Sequence, residues 1–261
     1  MQPVITTMYT DTHCHIYLPA FENDLPAVIQ RAENEGVTKL FLPAIDSSET
    51  DRMLAVEARY PGTCFAMMGL HPCHVQQNYR EELDMVAQWL EQRPFAAVGE
   101  IGLDFYWDKT YTQEQYDAFK TQMQWALDKQ LNIVIHTRNA LPEAIETVAP
   151  FAAKGLRGIF HCFGGTTEEA RAITAMGFHL GIGGVVTYKN SGLSEVLPHI
   201  PLEYIVLETD APYLTPVPFR GKRNESSYLK YVVAKLAEIK NCSPEEIARV
   251  TTENAMQIFK V

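Results

Sequence analysis

The chain has 261 residues, 46% apolar and 21% charged, a composition that builds a core and excludes intrinsic disorder and collagen-like repeats. Its 22 basic and 32 acidic residues leave a net charge of −10, which excludes coating nucleic acid with the whole surface and requires any polyanion to bind locally. No stretch offers the ~20 apolar residues of a membrane span, and the N-terminus lacks the basic start and apolar centre of a secretory signal. The five scattered cysteines do not read as a disulfide framework. The expectation is a cytoplasmic protein with reduced thiols.

In chain order, β-branched or apolar runs predict strands over Tyr9–Ile16, Thr38–Ile45, Cys64–His71, Ala96–Asp104, Asn132–Arg138, Arg157–Gly164, Phe178–Gly183 and Tyr204–Asp210. Helical spacing predicts helices between them, over Leu25–Glu35, Glu49–Arg59, Glu81–Glu91, Gln113–Lys129, Pro142–Ala152, Glu168–Met176 and a short one at Leu193–Leu197. Two more follow the last strand, over Ser227–Lys240 and Pro244–Phe259. Ser48, Thr112 and Thr167 stand where N-caps are expected, and Gly36 and Gly177 where left-handed residues would end helices. Ser243-Pro-Glu-Glu246 combines a capping box with Pro at the first helical position. Strands alternating with helices over about 250 residues predict an α/β fold, a single-domain (β/α)₈ TIM barrel spanning residues 1–261, with an open doubly wound sheet as the alternative. No Gly-rich dinucleotide fingerprint, long repeat or linker interrupts the pattern.

Polar residues interrupt several strands near their C-terminal ends, where barrels of this kind build active sites. His13 and His15 fall on one side of the first strand by alternation, with Cys14 on the other. By itself the pair is a weak metal signal, since a buried histidine is more often simply hydrogen-bonded. Glu100 ends an apolar run in the fourth strand, His136 in the fifth and His161 in the sixth, and Glu208 and Asp210 close the eighth. His13, His15, His136, His161, Glu100 and Asp210 thus converge on one mouth, enough for two divalent cations if one carboxylate bridges them. Such cations would supply the pKa shift that turns water into a nucleophile.

Across nearly its full length the sequence resembles the TatD-type metal-dependent hydrolases of the amidohydrolase superfamily. The matching motifs are Asp-Thr-His13-Cys-His15, Gly-Leu-His71-Pro, Gly99-Glu100-Ile-Gly-Leu-Asp104, Ile-His136-Thr-Arg138, His161-Cys-Phe, Glu208-Thr-Asp210-Ala-Pro-Tyr and Arg220-Gly-Lys-Arg-Asn224. The resemblance implies magnesium-dependent deoxyribonuclease activity, 3′–5′ on single strands, with DNA as the partner. It also implies that His13 and His15 hold one metal, that Glu100 bridges, that His136 and His161 hold the second, and that Asp210 is ligand and general base. Glu225 is followed by Ser226 and Ser227 where the family pattern continues into Pro.

Arg138 shares a strand face with His136 and reads as a phosphate ligand or a rim salt bridge. Arg220, Lys222 and Arg223 supply local positive charge after the eighth strand, with Tyr213 and Phe219 as neighbouring stacking surfaces. His71 is expected at the same rim, and its neighbours Cys73 and His74 lack the four closed ligands of a structural zinc site. Glu208 reads either as a group orienting a ligand or as one half of an ion pair. Cys14 and Cys162 are expected to point outward, between barrel and helices. Trp89 and Trp125 read as packing, and so does Phe105-Tyr106-Trp107, with base stacking as the alternative. Four imidazoles favour zinc, manganese, nickel or iron, whereas the resemblance favours magnesium. The leading function is therefore metal-dependent phosphodiester hydrolysis. Hydrolysis of an ester, amide or aminoacyl-tRNA bond is the enzymatic alternative, and a non-catalytic metal-stabilised binding module the alternative of another class.

Overall fold

A computed structural model describes residues 8–260; the reading of the N-terminus as lacking a signal falls partly on residues 1–7, outside the described residues. Eight parallel strands appear in the expected order: β1 (Tyr9–Asp11), β2 (Val37–Pro43), β3 (Cys64–Met67), β4 (Val98–Asp104), β5 (Ile133–Arg138), β6 (Gly158–Phe160), β7 (His179–Ile182) and β8 (Ile205–Leu207). The helices are α1 (Leu25–Asn34), α2 (Ser47–Arg59), α3 (Tyr79–Gln92), α4 (Thr112–Asp128), α5 (Leu141–Ala152), α6 (Thr167–Ala175), α7 (Leu193–Val196), α8 (Leu229–Lys240) and α9 (Pro244–Phe259). The regular ladders fall into two sheets, β1-β2-β3 and β4-β5-β6-β7-β8. Isolated bridges, Met68 with Val98 and Cys14 with Ala211, join them at the two seams. The barrel is thus not one continuous ladder.

Several strands are shorter than the sequence pattern predicts because polar chain leaves the ladder before the pattern ends. β1 stops at Asp11, and the segment carrying His13 and His15 instead bonds across the seam: Asp210 N–H donates to His13 O (2.9 Å) and His15 N–H to Ala211 O (2.7 Å). The caps also shift by a residue or two. Asp46, not Ser48, caps α2 through its side chain, and Thr166, not Thr167, makes a capping box with Glu169. Thr112 is already the first residue of α4. Ser243 caps α9 as expected, but the Glu246 carboxylate turns to Arg249 and leaves that box half made.

Alternation explains where the site sits. Phe41, Met67, Val134, Ile159 and Val206 join Ala255, Ile258 and Phe259 of α9 in one apolar cluster, with the Phe41 and Phe259 rings stacked at 3.6 Å. Val134, Ile159 and Val206 each lie two positions before His136, His161 and Glu208, so each pair shares a face. The interior is therefore layered, with an apolar floor plugged by α9 beneath a layer of imidazoles and carboxylates. In β4 the register shifts between Val98 and Ile101, so Ala97 and Glu100, three residues apart, both face inward.

Candidate active site

Around the Glu100 Oε2 atom, His13 Nε2 stands at 3.2 Å and His15 Nε2 at 3.5 Å. The two imidazole nitrogens are 3.2 Å from each other, and Asp210 Oδ1 lies 3.7 and 3.6 Å from them. Donors bound at about 2.1 Å to one cation would be separated by about 3.0–3.4 Å, so His13, His15 and Glu100 stand close to ligand spacing and Asp210 slightly outside it from the two imidazoles. Glu100 Oε1 faces a different set, with His136 Nδ1 at 3.0 Å, His161 Nε2 at 3.1 Å and His71 Nε2 at 3.5 Å. One buried carboxylate thus addresses two groups of imidazoles with its two oxygens.

For His15 and His136, hydrogen bonds to the far ring nitrogen leave the other nitrogen to carry a lone pair toward Glu100. Tyr17 O–H donates to Pro43 O at 2.5 Å, so its oxygen accepts from His15 Nδ1–H at 2.9 Å and leaves His15 Nε2 unprotonated. His136 Nε2–H donates to Asp104 Oδ2 at 2.9 Å, which frees Nδ1. Glu208 Oε1 stands 3.3 Å from His161 Nδ1 without making a hydrogen bond to it. His71 is the opposite case, because its Nδ1 accepts the Cys73 backbone N–H at 3.1 Å and Nε2 therefore carries the proton. It is a donor at the rim, not a fifth lone pair.

Burial pushes Glu100 up, but its interactions with the facing imidazoles of His13, His71 and His161 override it and hold the carboxyl well below its ordinary range. Burial also lifts Asp210 to about 6 and pulls His71 down to about 4. His13 is driven down by burial and by His161, whereas His161 is raised well above its ordinary value because Glu100 and Glu208 outweigh its burial. A buried N₄O₂ set with such opposed shifts marks a functional centre and suits borderline divalent cations.

This centre floors a cavity of about 950 Å³. The TatD related DNase family matches residues 10–260. The chain belongs to that family. It is 38% identical over 255 residues to YabD of Bacillus subtilis, described as an uncharacterized metal-dependent hydrolase, with 97% of this chain and 100% of that one covered. It is 32% identical over 247 residues to the 3′-5′ ssDNA/RNA exonuclease TatD of Pectobacterium parmentieri, covering 92% and 95%. Among solved structures, the Escherichia coli TatD homologue YjjV superposes with a TM-score of 0.92 at 31% identity, over 98% of this chain and 100% of that one. The protein is therefore a metal-dependent hydrolase of the TatD family.

In this TatD-family chain the structure brings His13, His15, Glu100, His136, His161 and Asp210 together on the cavity floor, with Glu208 behind His161 and His71 at the rim. Arg138, Arg220 and Lys222 line the mouth. Arg138 lies over the Tyr106 ring at 4.0 Å and Arg220 over that of Tyr188 at 4.2 Å. Arg223 is not brought there: its guanidinium donates to both Asp24 oxygens (2.7 Å each) and to Ala20 O. Cys14 is buried against the barrel as expected, but Cys162 lines the cavity, because β6 ends at Phe160 and Cys162 adopts a left-handed φ of 49° that breaks the alternation.

Two residues outside the sequence-based set shape the site. Asp104 belongs to the Gly99–Asp104 motif and, four residues after Glu100, falls on the same face, a spacing that could have flagged it. Tyr17 carried no such signal.

The loop after β8 is pinned rather than loose, although Ser226 replaces the family's Pro. Asn224 Nδ2–H bonds Thr209 O and Tyr213 O, and Ser226 O–H donates to Asp11. Glu225 accepts from Arg31 at 2.8 and 2.6 Å and from Ser227 at 2.5 Å. Burial raises the Glu225 pKa, yet these bonds outweigh it and leave the carboxyl below its ordinary value. A depressed carboxylate stabilises the fold fully above its unfolded pKa, about 4.3, and loses that contribution as pH falls through the folded value. Glu225→Gln is thus expected to cost on the order of 1 kcal/mol at pH 7, discounted for the exposed Arg31 partner. The urea midpoints of wild type and variant should approach each other on acidification below about pH 4; a gap independent of pH would refute this.

Proposed function

We propose that this TatD-family hydrolase cleaves phosphodiester bonds at the 3′ ends of single-stranded nucleic acid, DNA foremost, using two divalent cations. One position would be held by His13, His15, Glu100 and Asp210, the other by Glu100, His136 and His161. The observation that carries this reading is Glu100, whose two oxygens face separate sets of imidazole nitrogens. Magnesium or manganese fits turnover, and zinc fits a tightly held resting metal on this nitrogen-rich set.

Bound there, such cations polarise a phosphoryl oxygen and lower the pKa of water. The chain's own residues do the rest. Arg138 presents a planar fork to the phosphate, suited to two parallel hydrogen bonds. Arg220 and Lys222 add positive charge at the mouth of an otherwise acidic protein, which favours an anionic diester over a neutral ester or amide. His71 offers its Nε2–H at the rim. Asp210 accepts the proton of the attacking water at its carboxylate, for its side chain is 16% exposed where that of Glu100 is 2%. Asp104 and Tyr17 hold His136 and His15 in the tautomers described, and the Glu208 carboxylate stands behind His161. The support for the nucleic-acid substrate is the relative named as a 3′-5′ ssDNA/RNA exonuclease, together with this cationic mouth.

The test is stepwise shortening of an oligodeoxynucleotide labelled at its 5′ end, read as a ladder of labelled products. Cleavage is expected with Mg²⁺ or Mn²⁺, lost on chelation and restored by either metal. An intact strand in the presence of protein shown by elemental analysis to be metal-loaded would rule the reading out.

A further inference from the structure

Exposed large apolar side chains that gather in one place mark interaction sites, whereas isolated ones are ordinary. Among the described residues, Trp107, Tyr213 and Tyr106 are 68%, 55% and 52% exposed, and they are the three aromatic members of the exposed large apolar set. All three lie on the rim of one cavity or directly beside it. Trp107 and Tyr213 line it, and Tyr106 meets Trp107 edge-on at 4.9 Å beneath the Arg138 guanidinium. Trp107 follows β4 and Tyr213 follows β8. Strands four apart in an eight-stranded barrel lie across it from each other, so the two rings stand on opposite walls.

Both walls are tied to the floor. Asp104 Oδ1 accepts the backbone N–H groups of Tyr106 (2.9 Å) and Trp107 (3.2 Å), while Oδ2 of the same carboxylate holds His136. On the other side Tyr213 N–H donates to Asp210 O at 2.8 Å, and Tyr213 O accepts from the buried Asn224 amide at 2.7 Å. The backbone that carries each ring is therefore held by hydrogen bonds to residues of that layer or beside it.

We infer that Trp107, backed by Tyr106, and Tyr213 form a subsite for unpaired nucleobases beside the scissile phosphate, and that this subsite selects single strands. The inference rests on the phosphodiesterase reading above. Stacking on an aromatic face is open to every base and closed to bases already stacked and paired in a duplex. Arg138 joins the two functions, since its guanidinium lies on the aromatic pair and lines the same mouth that would hold the phosphate. Cations of this kind on aromatic rings also recur where single strands are bound.

The test compares kcat/KM for a single-stranded oligonucleotide with that for the same strand bearing abasic residues at its cleaved end. Wild type should prefer the base-bearing strand, and Trp107→Ala and Tyr213→Ala should each shrink that preference about ten-fold. Trp107→Tyr should recover most of it. In parallel, metal-loaded protein is titrated with a cleavage-resistant phosphorothioate oligothymidylate. Tryptophan emission should be quenched on binding, and Trp107→Phe, which leaves only the partly buried Trp89 and Trp125, should remove the quench. An unchanged preference in both alanine variants, or a quench that survives Trp107→Phe, would overturn the subsite. Absence of cleavage by wild type together with a base-dependent quench at Trp107 would instead defeat the nuclease reading and leave the subsite standing.

Discussion

Glu100→Gln is expected to lower kcat/KM by roughly 10³-fold or more and to empty both metal positions together. The amide keeps the shape of the side chain but replaces one carboxylate oxygen by an N–H₂ group, which has no lone pair to offer a cation. Oε2 meets His13 and His15, and Oε1 meets His136 and His161. Whichever way the amide turns, one of the two cation positions loses its ligand oxygen, and the shared negative charge that would draw two dications together is gone. Asp210→Asn should separate the two positions, because Asp210 Oδ1 faces only His13 and His15. Elemental analysis should then give near-zero metal for Glu100→Gln and retention of one ion for Asp210→Asn, with turnover abolished in both. Glu100→Gln protein that keeps two ions per chain would sink the bridging assignment. Circular dichroism on the metal-free proteins checks that each variant folds.

The outline of this site was legible because a buried parallel strand tolerates a histidine or carboxylate only for cause, and in this chain such residues gather at one end of their strands. Alternation alone put His136 beside Arg138 and His13 beside His15. It could not show that β4 shifts register between Val98 and Ile101, which decides that Glu100 looks into the barrel. Nor could it show that the chain turns left-handed at Cys162 and Asp210, with φ of 49° and 55°. Alternation fails at both, so Cys162 enters the cavity. The basic run after β8 was ambiguous for a different reason. Sequence registers the charges of Arg220, Lys222 and Arg223 alike, but only the fold shows that Asp24, nearly 200 residues away, commits Arg223. Trp107 illustrates the converse, since its neighbours Phe105 and Tyr106 made packing the natural reading, yet only Phe105 packs against the core.

Gly181 is the residue whose role sequence hides most completely, and Gly181→Ala is expected to damage the centre without touching any of its proposed ligands. β7 contributes no polar group to the floor. What it contributes is space: a Cβ at Gly181 would stand 2.1 Å from Glu208 Oε2 and 3.0 Å from the His161 Cα atom. Glu208 has little room to yield, for it is fully buried and its Oε1 accepts the Cys162 backbone N–H at 2.6 Å. The same oxygen faces His161 Nδ1, so a displaced carboxylate withdraws the group that stands behind His161, whose Nε2 faces Glu100. Overpacking of this kind costs about 1–3 kcal/mol in stability, and loss of a group orienting a ligand costs about 10–100-fold in metal affinity or activity. Gly164→Ala, where an added Cβ meets nothing within 4 Å, serves as the control and should leave both measures near wild type. If the clash with Glu208 is the cause, adding Glu208→Ala to Gly181→Ala should cost less than the sum of the single changes. Full additivity of the two in metal affinity would assign the damage to the backbone contact at His161 and remove Glu208 from the argument.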